Sequence, residues 1–421
     1  MTHFGIICPD GTGHLNPMTT LGHELQRRGH RVTLFGILDA QPKALAAGLD
    51  FQAIGEFEFP TGATAQFMKR RGELSGFAAL QYNFNLAKQD VAVCLRDAPK
   101  AIKSAGVEAL LVDQVSIGGG TVAELLEIPF ISVCSALLFN REEGVPPIFT
   151  SWRYNPAAWA RLRNRAGYAV SDFLVQPIRE VIAEYRREWK LPPLSKDYYS
   201  KLAQLSQQPA EFEFPRQHLP KVFHFTGPFH NPASRESVSF PFEKLTGQPL
   251  IYASLGTIQN RLMEIFHYIA EACVGLDAQL VISLGGSTSP ESLPELPGSP
   301  LVVKYAPQLE LLKKATLTIT HAGLNTTLES LSYGVPMVAI PIATDQPGVG
   351  ARLAWTGTGE VIPLARLGTT MLRAAIKQVL TQDSYKKNAS RLSEAIRRAG
   401  GVSRPADIIE QVISTGKPVY R

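Results

Sequence analysis

The sequence has 421 residues, a hydrophobic fraction of 45%, a charged fraction of 19% and a formal net charge of +5. These totals exclude a disordered chain, and the lack of any Lys/Arg block argues against nucleic-acid binding. Because the length exceeds what one hydrophobic core usually fills, we expect two domains of about 200 residues each.

The cysteines and apolar runs bear on the compartment. The four cysteines are scattered, with no C-x-x-C pair: Cys8, Cys94, Cys134 and Cys273. This favours buried free thiols over disulfides. The first eight residues lack the pattern of a signal peptide, and no apolar run approaches the ~20 residues that span a bilayer. We therefore expect a cytoplasmic protein, and peripheral contact with a membrane stays open.

The first half of the chain alternates short apolar runs with amphipathic helical stretches. We predict strands at Phe4–Cys8, Val32–Ile37, Ala109–Val112 and Phe130–Val133, a loop over Gly11–Asn16, and helices at Pro17–Arg28 and Thr121–Leu126. Short strands separated by helices indicate parallel βαβ units in a doubly wound sheet.

Turn-forming residues interrupt the periodicity between 226 and 249, after which the alternation restarts. The predicted organisation is a first domain over 1–225, a linker over 226–249, a second domain over 250–400, and a C-terminal helix within 401–421 that could pack back on the first domain. Strands are predicted at Leu250–Leu255, Leu280–Leu284, Leu301–Val303, Leu317–Thr320 and Met337–Ile340, and helices at Thr370–Leu380 and Ala406–Ile413. We expect two Rossmann-like domains whose strand-ending loops share one cleft.

The segment from His321 to Thr327 follows a predicted strand and opens a helix. The start of a helix offers unpaired N–H groups and a partial positive charge, which suit a phosphate group. Gly323 lets the backbone come close to a ligand, and His321 can stabilise charge on a departing phosphate. Thr326-x-x-Glu329 also satisfies a capping box, which by itself would explain both residues.

A second candidate site follows the first predicted strand, in the segment Gly11-Thr12-Gly13-His14-Leu15-Asn16-Pro17. It does not fit a dinucleotide fingerprint, because Asn16 occupies the third glycine position. The segment does place the imidazole of His14 at the mouth of the sheet, and Asp113 ends another strand of the same domain. A capping histidine and a strand-ending aspartate would explain these two residues equally well.

From Lys304 to Leu353 the chain resembles the donor-binding signature of family 1 UDP-dependent glycosyltransferases, which have the GT-B architecture. Ala306-Pro307-Gln308 precedes the His321 segment, and Asp345-Gln346-Pro347 follows the next strand. The resemblance implies a role for each part of this donor site. The diphosphate would be bound by Ser254, Gly256 and Thr257 and by His321, Gly323, Asn325 and Thr326. The nucleobase would be bound by Tyr305, Ala306 and Gln308, the ribose by Glu329, and the sugar by Asp345 and Gln346. Because Tyr305 stands where the plant enzymes have a Trp, a TDP-sugar stays open beside a UDP-sugar.

The same resemblance implies that His14 is the general base of an inverting sugar transfer and that Asp113 is its partner. A histidine pKa near ~6.5 suits this role. The sequence has no Asp-x-Asp segment and no His/Cys/Asp cluster at ligand spacing. We therefore expect neither a metal nor a cofactor beyond the UDP-sugar co-substrate, and a preference for glucose as the sugar.

The region Asn140–Trp189 carries three of the four tryptophans, Trp152, Trp159 and Trp189, with arginines among them. Its first part resembles bacterial zeaxanthin glucosyltransferases, which are the carotenoid branch of the family. The chain as a whole resembles the bacterial branch that includes these enzymes and the macrolide-type glycosyltransferases. We expect this region to line the pocket for a lipophilic acceptor of phenol, flavonoid, carotenoid or macrolide type. Ordinary packing with a solvated helix face would also explain it, and aromatic residues beside basic ones fit contact with an anionic membrane.

Two other functions share this cleft architecture. A UDP-sugar 2-epimerase would need carboxylates placed for proton abstraction at the sugar, whereas Asp345-Gln346 suits hydroxyl binding better. A non-catalytic nucleotide-sugar-binding protein is expected to lack the base position, yet His14 and Asp113 are both present. The sequence does not determine the physiological acceptor or the oligomeric state.

Overall fold

A computed structural model describes residues 1–74, 76–195, 197–234, 238–257, 263–286 and 288–421. Within these residues, the first sheet consists of β1 His3–Ile7, β2 Arg31–Gly36, β3 Asp50–Ala53, β4 Ala109–Asp113, β5 Phe130–Cys134, β6 Gln204–Ser206 and β7 Phe223–Phe225. The strands are parallel and lie in the order β3-β2-β1-β4-β5-β6-β7. Every residue of β1 and β4 is buried, as expected for a parallel sheet with helices on both faces.

The helices of this first half are α1 Thr12–Arg27, α2 Gln41–Ala46, α3 Ala63–Glu73, α4 Gly76–Ala105, α5 Gly118–Leu125 and α6 Ala158–Glu188. The predicted loop over Gly11–Asn16 is wrong, because α1 already begins at Thr12, with Gly11 in extended backbone as its N-cap. The glycines and Pro17 look like helix breakers in the sequence, but Pro17 sits inside α1 at the sixth position and costs the helix one hydrogen bond.

The second sheet, in the described part of the chain, consists of β8 Leu250–Ser254, β9 Gln279–Ser283, β10 Leu301–Val303, β11 Ala315–Thr320, β12 Met337–Ala339 and β13 Gly359–Val361. It is also parallel, in the order β10-β9-β8-β11-β12-β13. Its helices are α7 Met263–Cys273, α8 Gln308–Leu312, α9 Leu324–Ser332, α10 Gln346–Thr356, α11 Thr369–Thr381 and α12 Asp383–Ala399. The last helix of the chain is α13 Ser403–Thr415. Three residues of the predicted linker, 235–237, lie outside the described residues.

The chain end returns to the first sheet unit. Helix α13 buries Ile408, Ile409 and Val412 in the same core cluster as Met18 and Leu25 of α1. Arg28 at the end of α1 pairs with both acidic side chains of α13, Asp407 at 2.7 Å and Glu410 at 2.6 Å. The C-terminal helix therefore packs against α1, the helix whose first turn carries His14.

A buried ion pair also joins the two halves. Arg352 of α10 donates to Glu213, which lies before the linker, at 2.6 Å, and both side chains are about 1% exposed. Burial raises the pKa of Glu213, but the charges of Arg352 and Arg216 lower it by more. The pKa of Glu213 therefore lies below its ordinary value. The segment around Ile148 also approaches α10 closely, since a Cβ added at Gly348 would lie 2.1 Å from the Ile148 carbonyl oxygen. The two halves are thus in contact along α10, the helix that begins at Gln346.

Candidate active site

His14 and Asp113 come together at the carboxyl ends of neighbouring strands. β1 and β4 pair in parallel register, with Ile7 opposite Val112, so the residues that follow them emerge side by side. His14 lies in the first turn of α1, and its Nδ1 is 2.9 Å from Asp113 Oδ2. Asp113 is fully buried, and its other oxygen accepts the Val115 N–H at 2.9 Å. This carboxylate is therefore held rigidly behind a partly exposed imidazole.

The surroundings of His14 raise its pKa above the ordinary value. Burial lowers the pKa, but the charge of Asp113 and the hydrogen bond to it raise the pKa by more. Asp345 and Asp10 add to the negative field. Because Nδ1 faces the carboxylate, Nε2 is the ring nitrogen left to exchange a proton with a ligand in the cleft.

His321 is seated between two glycines at the ends of β8 and β11. A Cβ added at Gly256 would lie 2.7 Å from the ring carbon Cε1, and one added at Gly323 would lie 2.5 Å from Nε2. The Gly256 backbone also has φ +71°, a conformation that side chains rarely adopt. Burial lowers the pKa of His321 to about 4, against a smaller opposing effect of the Ser254 backbone. The ring is therefore neutral at pH 7 and offers an N–H rather than a positive charge.

The helix start after His321 is capped by backbone alone. α9 begins at Leu324 with Gly323 as its N-cap, and no side chain caps it. The capping-box interpretation of Thr326 and Glu329 is therefore wrong, because Thr326 is already the third residue of the helix. Because no side chain caps this helix, the N–H groups of its first turn are suited to bind an anion.

Glu329 belongs to a hydrogen-bonded chain that crosses the domain. Its Oε2 accepts from Gln308 Nε2 at 2.6 Å, and Gln308 Oε1 accepts from the Tyr252 hydroxyl at 3.1 Å. Glu329 is 2% exposed, and burial raises the pKa of Tyr252 to about 12. No sequence signal marked Tyr252, which lies inside β8 with no motif around it.

Tyr305, expected at the base, is half exposed and lies across Gly286. A Cβ added at Gly286 would lie 1.8 Å from the Tyr305 hydroxyl oxygen, and the Gly286 backbone has φ +95°. Only glycine leaves room for the ring at this position. Ala306 follows directly, and Gln308 opens α8, so the three predicted base contacts share one short segment.

The remaining predicted donor residues occupy the loops after β8 and β12. Ser254 is buried and its Oγ accepts the Gly256 N–H at 3.3 Å, while Thr257 is partly exposed. Gln346 Oε1 accepts two N–H groups of its own loop, from Ile342 at 2.8 Å and Ala343 at 2.9 Å.

Asp345 and Asn325 reach the first domain. Asp345 Oδ2 accepts the Leu137 N–H at 3.4 Å. Asn325 Nδ2 donates to the Gly13 carbonyl at 2.9 Å, and Asn325 Oδ1 accepts from Gln207 Nε2 at 2.8 Å. The first turn of α1, which carries His14, and the predicted phosphate helix are therefore in direct contact. No sequence signal marked Gln207.

An apolar cavity of about 350 Å³ opens in the first domain beside Asp10 and Val115. Its wall is drawn from separate segments that include Ile7, Phe35, Phe59, Met68, Leu86, Cys94, Phe139 and Ile178. Polar groups are sparse: Asp10 Oδ2 accepts from Thr64 Oγ1 at 2.6 Å, and Asp90 faces the cavity. Burial and the nearby Asp10 raise the pKa of Asp90 to about 6.

The aromatic region Asn140–Trp189 contributes little to this wall. Among the residues described, no tryptophan lines the cavity, and α6 contributes Val175 and Ile178 instead. Tyr154 packs on Phe214 and Trp355 at the contact between the halves. The wall comes mainly from the β1 and β2 ends and from α4, whose lining residues carry no motif.

Within the described residues, no group of three or more His, Cys, Asp or Glu side chains is arranged to hold a metal ion. In the same part of the chain, no helix is both long and apolar enough to cross a membrane. All four cysteines are unpaired, and Cys8, Cys94 and Cys134 are buried.

Comparison with known proteins places this chain among sugar-transferring enzymes. The family described as UDP-glucoronosyl and UDP-glucosyl transferase matches residues 56–399. The chain is 34% identical over its whole length to a zeaxanthin glucosyltransferase of Pantoea ananas, covering 98% of that protein. It is 32% identical to a zeaxanthin glucosyltransferase of Pseudescherichia vulneris, with both chains fully covered.

Solved structures confirm the expected GT-B fold. CalG4, the calicheamicin glycosyltransferase, aligns with a TM-score of 0.75 and 22% identity, over 99% of this chain and 100% of that one. The glycotransferase of kitacinnamycin aligns with a TM-score of 0.76 and 21% identity, over 97% of this chain and 98% of that one. At such identities the likeness concerns the fold.

Proposed function

The chain belongs to the UDP-glucoronosyl and UDP-glucosyl transferase family, and on that premise we propose that it moves glucose from UDP-glucose to a hydroxyl of a lipophilic small molecule, with inversion at the anomeric carbon. It is a glycosyltransferase, so the epimerase and the non-catalytic binder, both compatible with the sequence, lose their support. The observation that carries the proposal is the 2.9 Å contact of His14 with buried Asp113, at the start of α1, which contacts the phosphate helix through Asn325.

In this mechanism His14 Nε2 takes the proton of the acceptor hydroxyl as the acceptor oxygen attacks the anomeric carbon. The bond from that carbon to the diphosphate oxygen breaks, and UDP departs with the bonding electron pair. Asp113 stabilises the imidazolium that forms and fixes the ring orientation through Nδ1. Attack from the side opposite the leaving group inverts the anomeric configuration.

The leaving diphosphate would be met by the start of α9. The N–H groups of its first turn, including those of Asn325 and Thr326, supply fixed dipoles with no charged side chain. Gly323 lets the phosphates approach, and neutral His321 donates one further N–H. Ser254, Gly256 and Thr257 would contact the phosphates from the neighbouring loop.

The other parts of the donor fall to the residues around this helix. Tyr305, with Ala306 and Gln308, would receive the uracil ring, and Glu329 would accept from the ribose hydroxyls. Asp345 and Gln346 would hold the glucose hydroxyls. Since the Gln346 carbonyl oxygen already binds its own loop, its NH₂ group is the part we assign to the sugar.

The acceptor would occupy the 350 Å³ cavity, whose apolar wall begins at the ends of β1 and β2. This volume lies at the low end of small-molecule pockets, so a long acceptor would keep part of its length outside. The two relatives named for zeaxanthin favour a carotenoid-type alcohol, ahead of phenols, flavonoids and macrolides.

The test is transfer from UDP-glucose to a panel of these four acceptor classes, read by the mass increment of one hexosyl group. Proton NMR of the product reports whether the anomeric carbon is inverted. A parallel reaction with TDP-glucose tests which nucleobase the donor site prefers. We expect activity to survive EDTA. Conversion of UDP-glucose without acceptor, or complete loss of activity in EDTA, would contradict the mechanism.

A further inference from the structure

Pro17 deprives a carbonyl group beside His14 of its hydrogen-bond donor within the helix. In an α-helix the N–H of residue 17 would bond to the carbonyl of residue 13, but proline has no N–H. Pro17 lies within α1, so the Gly13 carbonyl lacks its intrahelical donor. That carbonyl belongs to the peptide unit that leads directly into His14.

Asn325 of the second domain supplies the missing donor. Its Nδ2 lies 2.9 Å from the Gly13 oxygen, and its Oδ1 accepts from Gln207 Nε2 at 2.8 Å. Gln207 is 2% exposed and also donates to the Ser135 carbonyl, which fixes its orientation. The Asn325 amide is thus held by Gln207 on one side and directed at the backbone of the first turn of α1 on the other.

We propose that Asn325 is a positioning residue that joins the start of the phosphate helix to the backbone of His14. The proposal rests on the assignment of His14 as the base. Because α9 also receives the diphosphate, the contact sets the distance between the base and the anomeric carbon across two domains. A displacement of a reacting group by 1 Å can lower the rate by about a hundredfold.

A direct phosphate contact from the Asn325 side chain would have different consequences. A phosphate ligand contributes to donor binding, so its loss raises the donor KM. A positioning residue acts on the reacting complex, so its loss lowers kcat and leaves the donor KM nearly unchanged. Both ends of the Asn325 amide already have protein partners, which favours the second role.

The test compares Asn325→Ala with Pro17→Ala. Position 17 is not among the residues assigned to the donor or to the acceptor. Alanine at position 17 restores the N–H, which competes with Asn325 for the Gly13 carbonyl inside α1. We expect each variant to lower kcat about ten- to a hundredfold, with the UDP-glucose KM within about twofold and with no further loss in the double variant. Arg398→Ala, which breaks the exposed pair with Glu211 at 3.1 Å, should keep wild-type kinetics.

The outcomes separate this proposal from the proposed function. A raised donor KM with unchanged kcat in Asn325→Ala, or wild-type kinetics in Pro17→Ala, would overturn the positioning role while transfer by the wild type stands. Absence of transfer by the wild type, or an active His14→Ala, would instead overturn the assignment of the base. Thermal melting controls for folding, and Pro17→Ala should be no less stable because alanine favours the helix.

A second, independent observation concerns the exposed face of α6. Four large apolar side chains there are mostly solvent-exposed: Trp159 at 59%, Leu162 at 68%, Val170 at 56% and Phe173 at 79%. Their spacing of three, eight and three residues places them on one side of the helix. Several large exposed apolar residues on one side of a helix are typical of an interaction site.

The segment that leads into this face and the first turns of α6 are rich in arginine, although Arg165 pairs with Glu143 at 3.4 Å and Glu180 and Glu184 are exposed farther along the helix. Residues 151–171 include four arginines, Arg153, Arg161, Arg163 and Arg165, and neither Asp nor Glu. Arg163 lies over the rings of Trp152 and Trp159, at 4.6 Å and 5.3 Å from their centroids. Arginine beside tryptophan suits the boundary between anionic headgroups and acyl chains.

We infer that this face of α6 docks on an anionic membrane surface. Two other residues of the same helix, Val175 and Ile178, line the acceptor cavity, so docking would bring the cavity near lipid-dissolved acceptors. The inference rests on the proposed lipophilic acceptor. A second copy of the chain is the competing occupant.

The test is flotation with phosphatidylcholine vesicles, with and without phosphatidylglycerol. We expect the wild type to float with the anionic vesicles, and Leu162→Glu/Phe173→Glu to lose at least about tenfold in binding. Met371→Glu/Leu380→Glu, at exposed apolar positions of α11, is the matched control and should float. Equal flotation of the α6 variant would overturn the inference, as would sedimentation showing a wild-type dimer that this variant dissociates. Retained transfer to a water-soluble acceptor shows that the enzyme itself is intact.

Discussion

The donor end and the acceptor end of the cleft are constructed differently. The donor end comes from loops of one domain, and glycines at 256, 286 and 323 create its shape by leaving room for His321 and Tyr305. The acceptor cavity draws on segments from Ile7 to Tyr198 and is shaped by packing. A diphosphate needs fixed backbone geometry, whereas an apolar ligand needs volume and apolar lining, which many sequences supply.

This difference has a functional consequence. Substitutions at the donor end and at the base should lower catalysis steeply, because each group has a single acceptable position. Substitutions in the cavity should change acceptor preference with modest effects on rate. Four predictions test that contrast, and the first concerns the base at which the two ends meet.

Replacing His14 should give the largest effect. His14→Ala removes the proton acceptor, and we expect kcat to fall about 10²- to 10⁴-fold. UDP affinity, measured by calorimetry, should stay within about twofold because His14 lies in the first domain. His14→Gln is the companion variant, since its amide can still donate to buried Asp113. Transfer at the wild-type rate in either variant would mean that the base lies elsewhere.

Gly323→Ala should show how little tolerance the donor end has. The new Cβ would lie 2.5 Å from His321 Nε2, so the imidazole must move from its position between Gly256 and Gly323. We expect the UDP-glucose KM to rise at least about tenfold, together with a lower melting temperature. Gly144→Ala, with no atom within 4 Å of the added Cβ, is the matched control. Equal kinetics of the two variants would contradict a rigid phosphate site.

The same contrast explains what the sequence could predict. The strands at the donor end, such as Leu301–Val303, and the segment around His321 could be recognised because short motifs encode local backbone geometry. The pairing of His14 with Asp113 followed from parallel strands that end at one edge. The start of α1 was missed because the glycines and Pro17 resemble a loop.

Tertiary packing accounts for the rest. The cavity wall includes Leu86 and Cys94 of α4, which have only the ordinary spacing of a buried helix face. The bridge from Gln207 through Asn325 to Gly13 spans residues more than a hundred positions apart. No local pattern can indicate such contacts, because they depend on how the two domains meet. Trp159, in the region expected to line the acceptor pocket, is 59% exposed.

Asp113 should control the pH range of the reaction. Its carboxylate helps to raise the pKa of His14, and the base must be unprotonated, so activity is lost as the pH falls through that raised pKa. Asp113→Asn removes the charge, and we expect the acid limb of kcat/KM to move to lower pH while the maximal rate falls. The measurement is the pH profile with one acceptor. An unmoved acid limb would mean that the limb does not report His14.

The smallest effect is expected at Asp90 in the cavity. Burial and Asp10 raise the pKa of Asp90 to about 6, so an apolar acceptor meets a neutral carboxyl group below pH 6 and a carboxylate above it. We expect the acceptor KM of the wild type to rise about two- to threefold from pH 5.5 to 7.5, because a charge so placed disfavours apolar contact.

Asp90→Asn stays neutral throughout, and its acceptor KM should remain flat over the same range. The UDP-glucose KM of this variant serves as an internal control and should match that of the wild type, since Asp90 lies in the other domain. A rise that persists in Asp90→Asn would assign the pH dependence to another group. A donor KM that moves with it would show that the two ends of the cleft are coupled, against the independence that their separate construction implies.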